Sequence, residues 1–547
     1  MSNRLLVALL RTSLVTALAL SGLTGLTLAP AHAATWPTPV VVAGAEPAFS
    51  YRYDVQTVVT PDGTTVASWA DTGSLDSVMV SERPPGGAWS TPVAVAASNL
   101  WGDRLAVGPD GTLAIVYQNV VASKVVIGAV VRPPGGSWGA PVTLSDPAQS
   151  ASSPNVAIGA GVVTAVWVQG SGVTSKPMVN TRPVGAAGTW GSPITFVDAG
   201  VSGIDVAASA AGTLVTWVLS SDPTDSYAAS TVRASFHGTS GSWEAPVSVS
   251  AAGRRVQVAE PAVGADGTLA VAWESRLPTT AGYYTSARAQ AAIKAPGGGW
   301  GAQALLSDPD IEGTGPHVGI GPDGTTTVVW TSYDGANHKV ATRVYRGGSW
   351  GPQVDLTQSI NSESNPQLAI SPDGTAVVEF SNLAKGVGVA IRPPGGGWWP
   401  TDFIAPREQA GYDRALAVGS GTVAVVWAYG NDDIVLAVVA DHLLPLPTAR
   451  TGRITGPGKI RKGKKARYAF TGSPAPVTFE CRVDRTRRQQ SGTTGPKGKK
   501  PVPWRSCHSP MKVKTKNLKL GRHTLYVRAV LYGVPDPTAS KKKFKVK

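Results

Sequence analysis

Two cysteines, four methionines and eight phenylalanines are all that 547 residues contain of those types, and only 15% of the chain is charged. So few thiols exclude a cysteine-rich metal cluster or a small disulfide scaffold and leave room for one bridge, Cys481 with Cys507. Beyond the first 33 residues there is no apolar run of 18, which removes the usual signal for a spanning helix. Acidic residues are scarce in one region only. Residues 448–547 hold 27 Lys and Arg against Glu480, Asp484 and Asp536, a net +24, whereas residues 1–447 carry a net −10. That asymmetry divides the chain near Leu446-Pro447.

Gly (63), Pro (43) and Trp (17) are plentiful, as expected of many short strands and tight turns. Met1 to Ala33 reads as a secretory signal. Arg4 and Arg11 open it, an apolar stretch follows, and Ala31-His32-Ala33 offers a small-residue cleavage site. The mature protein is therefore expected outside the cytoplasm, secreted or wall-associated, with no membrane anchor.

One phrase recurs through residues 34–447. Gly321-Pro322-Asp323-Gly324 leads into a strand ending at Trp330, and related turns lead to Trp69, Tyr117, Trp273 and Phe380, with weaker copies at Trp167, Trp217 and Trp427. Asp-Gly between β-prone runs is a hairpin signal. A second marker, Arg83-Pro84-Pro85-Gly86-Gly87-Ala88-Trp89, recurs at Arg132 and Arg392, with shorter forms at Trp190, Trp243, Trp300 and Trp350. Each unit of about 50 residues reads as four strands. The first copy of the second marker, Trp36-Pro37-Thr38-Pro39-Val40, stands alone, and the last unit lacks its own. The two ends complete one unit. The expected fold is all-β: an eight-bladed β-propeller over 34–447, closed by its N-terminal strand, with a seven-bladed ring as the alternative.

The Pro-Asp-Gly-Thr hairpin and its aromatic-ended strand resemble the repeat of TolB-like propellers, and the Trp-rich turns look like those of sialidase-type propellers. The Asp-box of the latter spaces Asp and Gly by one residue, and here Asp323 and Gly324 are adjacent. The resemblance implies a fold and no activity. In residues 448–547, Thr478 to Asp484, Trp504 to Pro510 and Gly521 to Ala529 look like the Cys-paired Ig-like domain that ends many secreted actinobacterial proteins. Residues 448–547 are thus expected to form a small β-sandwich. Arg485 to Pro503 departs from that pattern as a long basic loop.

Several motifs fail in context. Gly319 to Gly324 fits a dinucleotide fingerprint, but a strand follows where a helix is required. Gly135 to Gly139 and Gly347 to Gly351 fit a nucleophile elbow, yet both are copies of a turn. Asp308 to Gly313 begins like a calcium loop and lacks its closing Glu. Arg83, Arg132, Arg182, Arg343 and Arg392 occupy one position per unit, so they are expected around a ring, with stems packed and heads in water. No cofactor or metal is implied.

Recognition is expected where the repeats disagree, on the face opposite the stereotyped turns. Its aromatics are Tyr51, Trp101, Tyr284, Tyr333 and Tyr412. Aligning the units also places one polar residue at the start of each first strand: Gln56, Arg104, Asn155, Asp205, Glu260, His317 and Gln367, with Ala415 next to Arg414 in the eighth. These are expected to ring the mouth of a central channel, with Asp205 and Glu260 as possible paired carboxylates. Three functions follow: a non-catalytic protein binding a glycan, peptide or surface polymer; a sialidase-like glycoside hydrolase; or a structural envelope component. A glycan or anionic wall polymer is the expected partner, nucleic acid is not, and a monomer is expected.

Overall fold

A computed structural model describes residues 36–44, 51–441 and 450–547, apart from 73–75, 99, 101, 186, 226, 278–286, 358–362, 383, 410, 412, 420, 430–433, 474–477, 485–502, 532–533 and 537. The proposed signal segment and the boundary at 447 lie outside the described residues.

The Pro-Asp-Gly-Thr phrase folds as expected, for a local reason. The Asp side chain turns back on its own backbone. Thr64 N–H donates to Asp62 at 3.1 Å, and the equivalent bonds from Thr112, Thr268, Thr325 and Thr375 measure 2.9–3.1 Å. The Gly that follows takes a left-handed conformation, φ +76° at Gly324 and +90° at Gly374, which residues with a Cβ rarely adopt. The motif is fully used in making the turn.

Among the described residues, strands 40–441 form eight antiparallel sheets of four or more strands. Their first strands are Tyr51–Val59, Arg104–Val107, Ala151–Gly159, Val201–Ser209, Arg255–Val263, Glu312–Ile320, Glu363–Ile370 and Arg414–Val418. Each packs beside the next, and the eighth returns to the first. Val40–Ala43 supplies the outer strand of the eighth sheet. It runs antiparallel to Ile434–Ala440, with Val40 opposite Ala437. This is a propeller-like arrangement whose ends are joined by the N-terminal strand.

The core lies between successive sheets. Second strands are buried along most of their length, and Trp69, Trp167, Trp217, Trp273, Trp330, Trp427 and Phe380 are among the largest side chains removed from solvent. Where the repeat replaces Trp with a smaller ring, the residue opposite is Gly: Tyr117 faces Gly128 and Phe380 faces Gly388. A Cβ at Gly128 would meet the Tyr117 ring at 2.5 Å, so the ring occupies that space.

The arginine ring differs from expectation in two ways. Tyr345, not Arg343, holds the position of Arg83 and Arg132 in the sixth sheet, because Thr326 pairs with Tyr345 where Thr65 pairs with Arg83. Nor are the heads left in water. Arg83 reaches Asp441 at 2.8 Å, Arg132 binds Glu82, and Arg392 donates to Thr327 at 2.6 Å, each on the preceding sheet. Lys294 repeats this with Glu244 at 2.9 Å. These side chains clasp neighbouring sheets together.

Residues 450–547 form a small β unit. The strands Lys459–Ile460, Ser540–Val546, Gly521–Leu531, Thr478–Val483 and Arg505–Cys507 lie side by side in one sheet, and Lys465–Tyr468 pairs with Met511–Lys514 in another. Ala466, Tyr468 and Val513 from the smaller sheet share a core with Leu525, Val527, Phe544 and Val546 from the larger. Cys481 and Cys507 are bonded, with Cα atoms 5.8 Å apart on neighbouring strands.

Candidate functional site

The polar register proposed for the first strands is held by hydrogen bonding. Gln56 pairs with Ser68, Arg104 with Val116, Asn155 with Val166, Asp205 with Thr216, Glu260 with Ala272, His317 with Val329 and Gln367 with Glu379. In each sheet the next residue of the second strand is the buried aromatic. A β-bulge precedes the position in six of the strands, between Ser152 and Asn155 and between Thr314 and His317, for example. In four of them a bulge residue is left-handed: φ is +52° at Asp54, +54° at Ser153, +100° at Gly203 and +54° at Gly315. A bulge bends the strand and re-aims the following side chain, here the polar one.

Four of these residues, from four successive sheets, meet in an arc. Asn155 donates from Nδ2 to Asp205 Oδ1 at 2.5 Å. Glu260 Oε2 lies 2.7 Å from His317 Nδ1, and its Oε1 accepts from Val318 N–H at 3.4 Å. Burial pushes Asp205 up to about 7, and the Glu260 charge adds to that rise. Burial opposes the charged form of His317, but Glu260 outweighs it and raises the imidazole above its ordinary value. Half-buried and hydrogen-bonded in two pairs, Asn155 with Asp205 and Glu260 with His317, the four offer carboxylate, amide and imidazole groups on successive strands.

The arc continues to the seventh sheet, whose Glu379 also acts on His317. Glu379 is fully buried and paired with Arg414 of the eighth sheet at 2.6 Å. Burial raises Glu379, and Arg414 offsets part of the rise. Arg414 was expected at an open mouth. It is buried instead, with a further bond to Gly411 O at 2.9 Å.

On the other side, Arg104 lies 3.4 Å from Asp54 and donates to Asp103 O at 2.7 Å. Asp103 is buried, and burial together with Asp54 holds it well above the carboxylate range. Asp413 is pushed up to about 6 by burial, with Asp54 adding to the rise, and accepts from Val55 N–H at 3.0 Å. No group of three or more metal-ligating side chains occurs among the described residues.

Asp54 and Glu379 were not foreseen. The signal for Glu379 was present, a carboxylate in a strand position that is otherwise Ser, Thr, Ala or Val. Of the loop aromatics, Trp101, Tyr284 and Tyr412 lie outside the described residues, as does the side chain of Tyr51. Tyr333 donates to Gly335 O at 2.8 Å and packs 4.3 Å from His338. It is held within its own hairpin.

A cleft of about 450 Å³ opens where the third, fourth and fifth sheets meet, away from the Pro-Asp-Gly turns. Its walls include Val201, Pro223, Asp225, Arg255 and Gln257. The Arg255 guanidinium sits 5.6 Å from the ring of Tyr227, which is 37% exposed. On the turn side, smaller cavities of about 360 Å³ and 290 Å³ recur at Asp62 with Arg132 and at Asp323 with Arg392.

Asp205 gives a direct check on this electrostatic description. Its folded-state value lies above its unfolded one. Its stabilising effect is therefore complete below about pH 4 and lost as pH rises through about 7. Asp205→Asn should flatten the stability profile across that window, read as melting temperature against pH. An unchanged slope would contradict the assigned shift.

No family model and no curated protein matches the chain. Among solved structures, it is similar to a Penicillium chrysogenum α-L-arabinanase complexed with arabinobiose, at 13% identity and TM-score 0.40, covering 76% of this chain and 100% of that one. It is also similar to the β-propeller domain of the trilobed protease from Pyrococcus furiosus, at 11% identity and TM-score 0.39, covering 65% and 100%. A Hadza microbial sialidase aligns at 13% identity and TM-score 0.34, covering 70% and 74%. All three likenesses are distant.

Proposed function

We propose that this protein is a secreted, non-catalytic binding protein: an eight-bladed β-propeller that recognises an extracellular glycan at the mouth of its central channel, followed by an Ig-like tail that attaches it to a surface. The arc of Asn155, Asp205, Glu260 and His317 carries the reading. Sugar hydroxyls both donate and accept, and a fixed row of amide, carboxylate and imidazole groups on adjacent strands matches them without reorganisation. The cleft beside Tyr227 and Arg255 lies where a longer glycan would extend. The disulfide suits an oxidising compartment, in keeping with the signal-like N-terminus.

Asp205, poised near neutrality beside Glu260, favours one second reading, a glycoside hydrolase with Asp205 as acid and Glu260 as base. The binding reading is preferred because His317 already engages Glu260.

A glycan array probed with the full mature chain tests both. Asn155→Ala and Asp205→Asn should each weaken the retained glycan about 10-fold or more, the worth of a hydrogen bond to a charged or fixed polar group. Fluorogenic glycosides should stay intact. Hydrolysis lost in Asp205→Asn would replace the first reading with the second. Glycan binding indifferent to both substitutions would remove the arc from either.

A further inference from the structure

The register of the 450–547 unit places like charges against each other. Lys465 lies directly opposite Lys514, and Arg467 opposite Lys512, all four exposed. On the larger sheet Lys545 lies between two cations in one row, with Lys459 on one side and Arg522 on the other. Lys543 follows on the same side of that strand. Opposed like charges destabilise a sheet, and nothing inside the unit relieves these. Glu480 is held by Arg528 at 2.6 Å. Asp536 accepts from Thr451 and Thr538. Asp484 is buried. Among the described residues none of the eight cations has an acidic partner.

The two sets point in opposite directions. Ala466, Tyr468 and Val513 alternate with the first set and face the core, while Phe544, Val546 and Ile460 do so for the second. Cation rows therefore lie on both outer faces of the unit. A flat bilayer could engage only one of them. The faces also offer little to insert, since Leu520 is the one strongly exposed large apolar side chain of the described tail.

We propose that the tail binds a flexible phosphodiester polymer that passes over both faces. This deepens the attachment role suggested above, and rests on it. Successive outward residues on a strand lie about 6.7 Å apart and neighbouring strands about 4.8 Å apart. Closely spaced phosphates along a thin chain fit such rows, and lysines meet them as compact point charges. Hyaluronan, with one carboxylate per disaccharide, leaves most of a row unmatched.

The test uses the full mature chain, inorganic polyphosphate and a poly(glycerol phosphate) at about 0.15 M salt, where exposed charges act over about 8 Å. One variant carries Lys465→Gln, Arg467→Gln, Lys512→Gln and Lys514→Gln. The other carries Lys459→Gln, Arg522→Gln, Lys543→Gln and Lys545→Gln. Each should lose at least 10-fold in affinity for both polymers, and the slope of log affinity against log salt should flatten by about 3, near 0.7 for each cation removed. Both variants should melt no lower than the parent, because repulsion has been relieved. Unchanged affinity in either variant would overturn the two-face assignment. Equal affinity for hyaluronan would overturn the phosphate assignment. Phosphatidylglycerol vesicles bound more tightly than the polymers would make the surface a membrane site instead. Glycan-array binding, measured on the same variants, should not change. A tail that fails on phosphate is thereby distinguished from a propeller that fails on glycan.

Discussion

Arg414→Ala is expected to lower the unfolding free energy by about 3–5 kcal/mol, the usual effect of leaving one member of a buried ion pair alone. Arg414 and Glu379 sit 2.6 Å apart with side-chain exposures of 3% and 0%. They come from successive sheets, so the pair ties the seventh to the eighth. Glu379 Oε2 has no hydrogen-bond partner, and the carboxylate depends on the guanidinium for compensation. The double change Arg414→Leu with Glu379→Leu removes both charges and should recover most of the loss. Denaturant unfolding followed by tryptophan fluorescence gives the comparison. A single variant as stable as the parent would show that the pair does not hold the sheets together.

Removing the disulfide should have the next largest effect. The bond spans 26 residues, and closing a loop of that length contributes about 3.5 kcal/mol in the chain-entropy picture. Cys481 also packs among Tyr468, Leu525 and Phe544 in the tail core, so Cys481→Ala with Cys507→Ala loses some packing as well. Calorimetry of the full chain should show a transition that falls in the double variant and, by a somewhat smaller amount, in the parent under reductant. No change under reductant would mean that the bond contributes nothing to the folded tail.

The architecture was legible because each repeat states its turn chemistry openly. Asp62, Asp110, Asp266, Asp323 and Asp373 bind the backbone two residues on, and a left-handed Gly follows. The polar register from Gln56 to Gln367 was legible for the same reason, since it lies twelve or thirteen residues ahead of the buried aromatic. Partners were harder to read. Glu379 and Arg414 lie 35 residues apart, and only the packing of two sheets brings them together. Arg343 was misplaced because its turn, Arg346-Gly347-Gly348, lacks the Pro-Pro pair and pairs Tyr345 with Trp350 in a tighter hairpin. The cleft beside Tyr227 left no trace in the repeat, because loop residues that help to line it, such as Pro223 and Asp225, occur once.

Glycan binding by the arc on adjacent first strands can be tested by titration. The most direct measurement is calorimetric titration of the best array ligand into the parent and into Asp205→Asn, with melting curves at the same pH. Binding should be about 10-fold weaker in a variant that melts no lower than the parent near pH 7, where the half-buried carboxylate of the parent titrates. Equal affinity in a folded Asp205→Asn would contradict it.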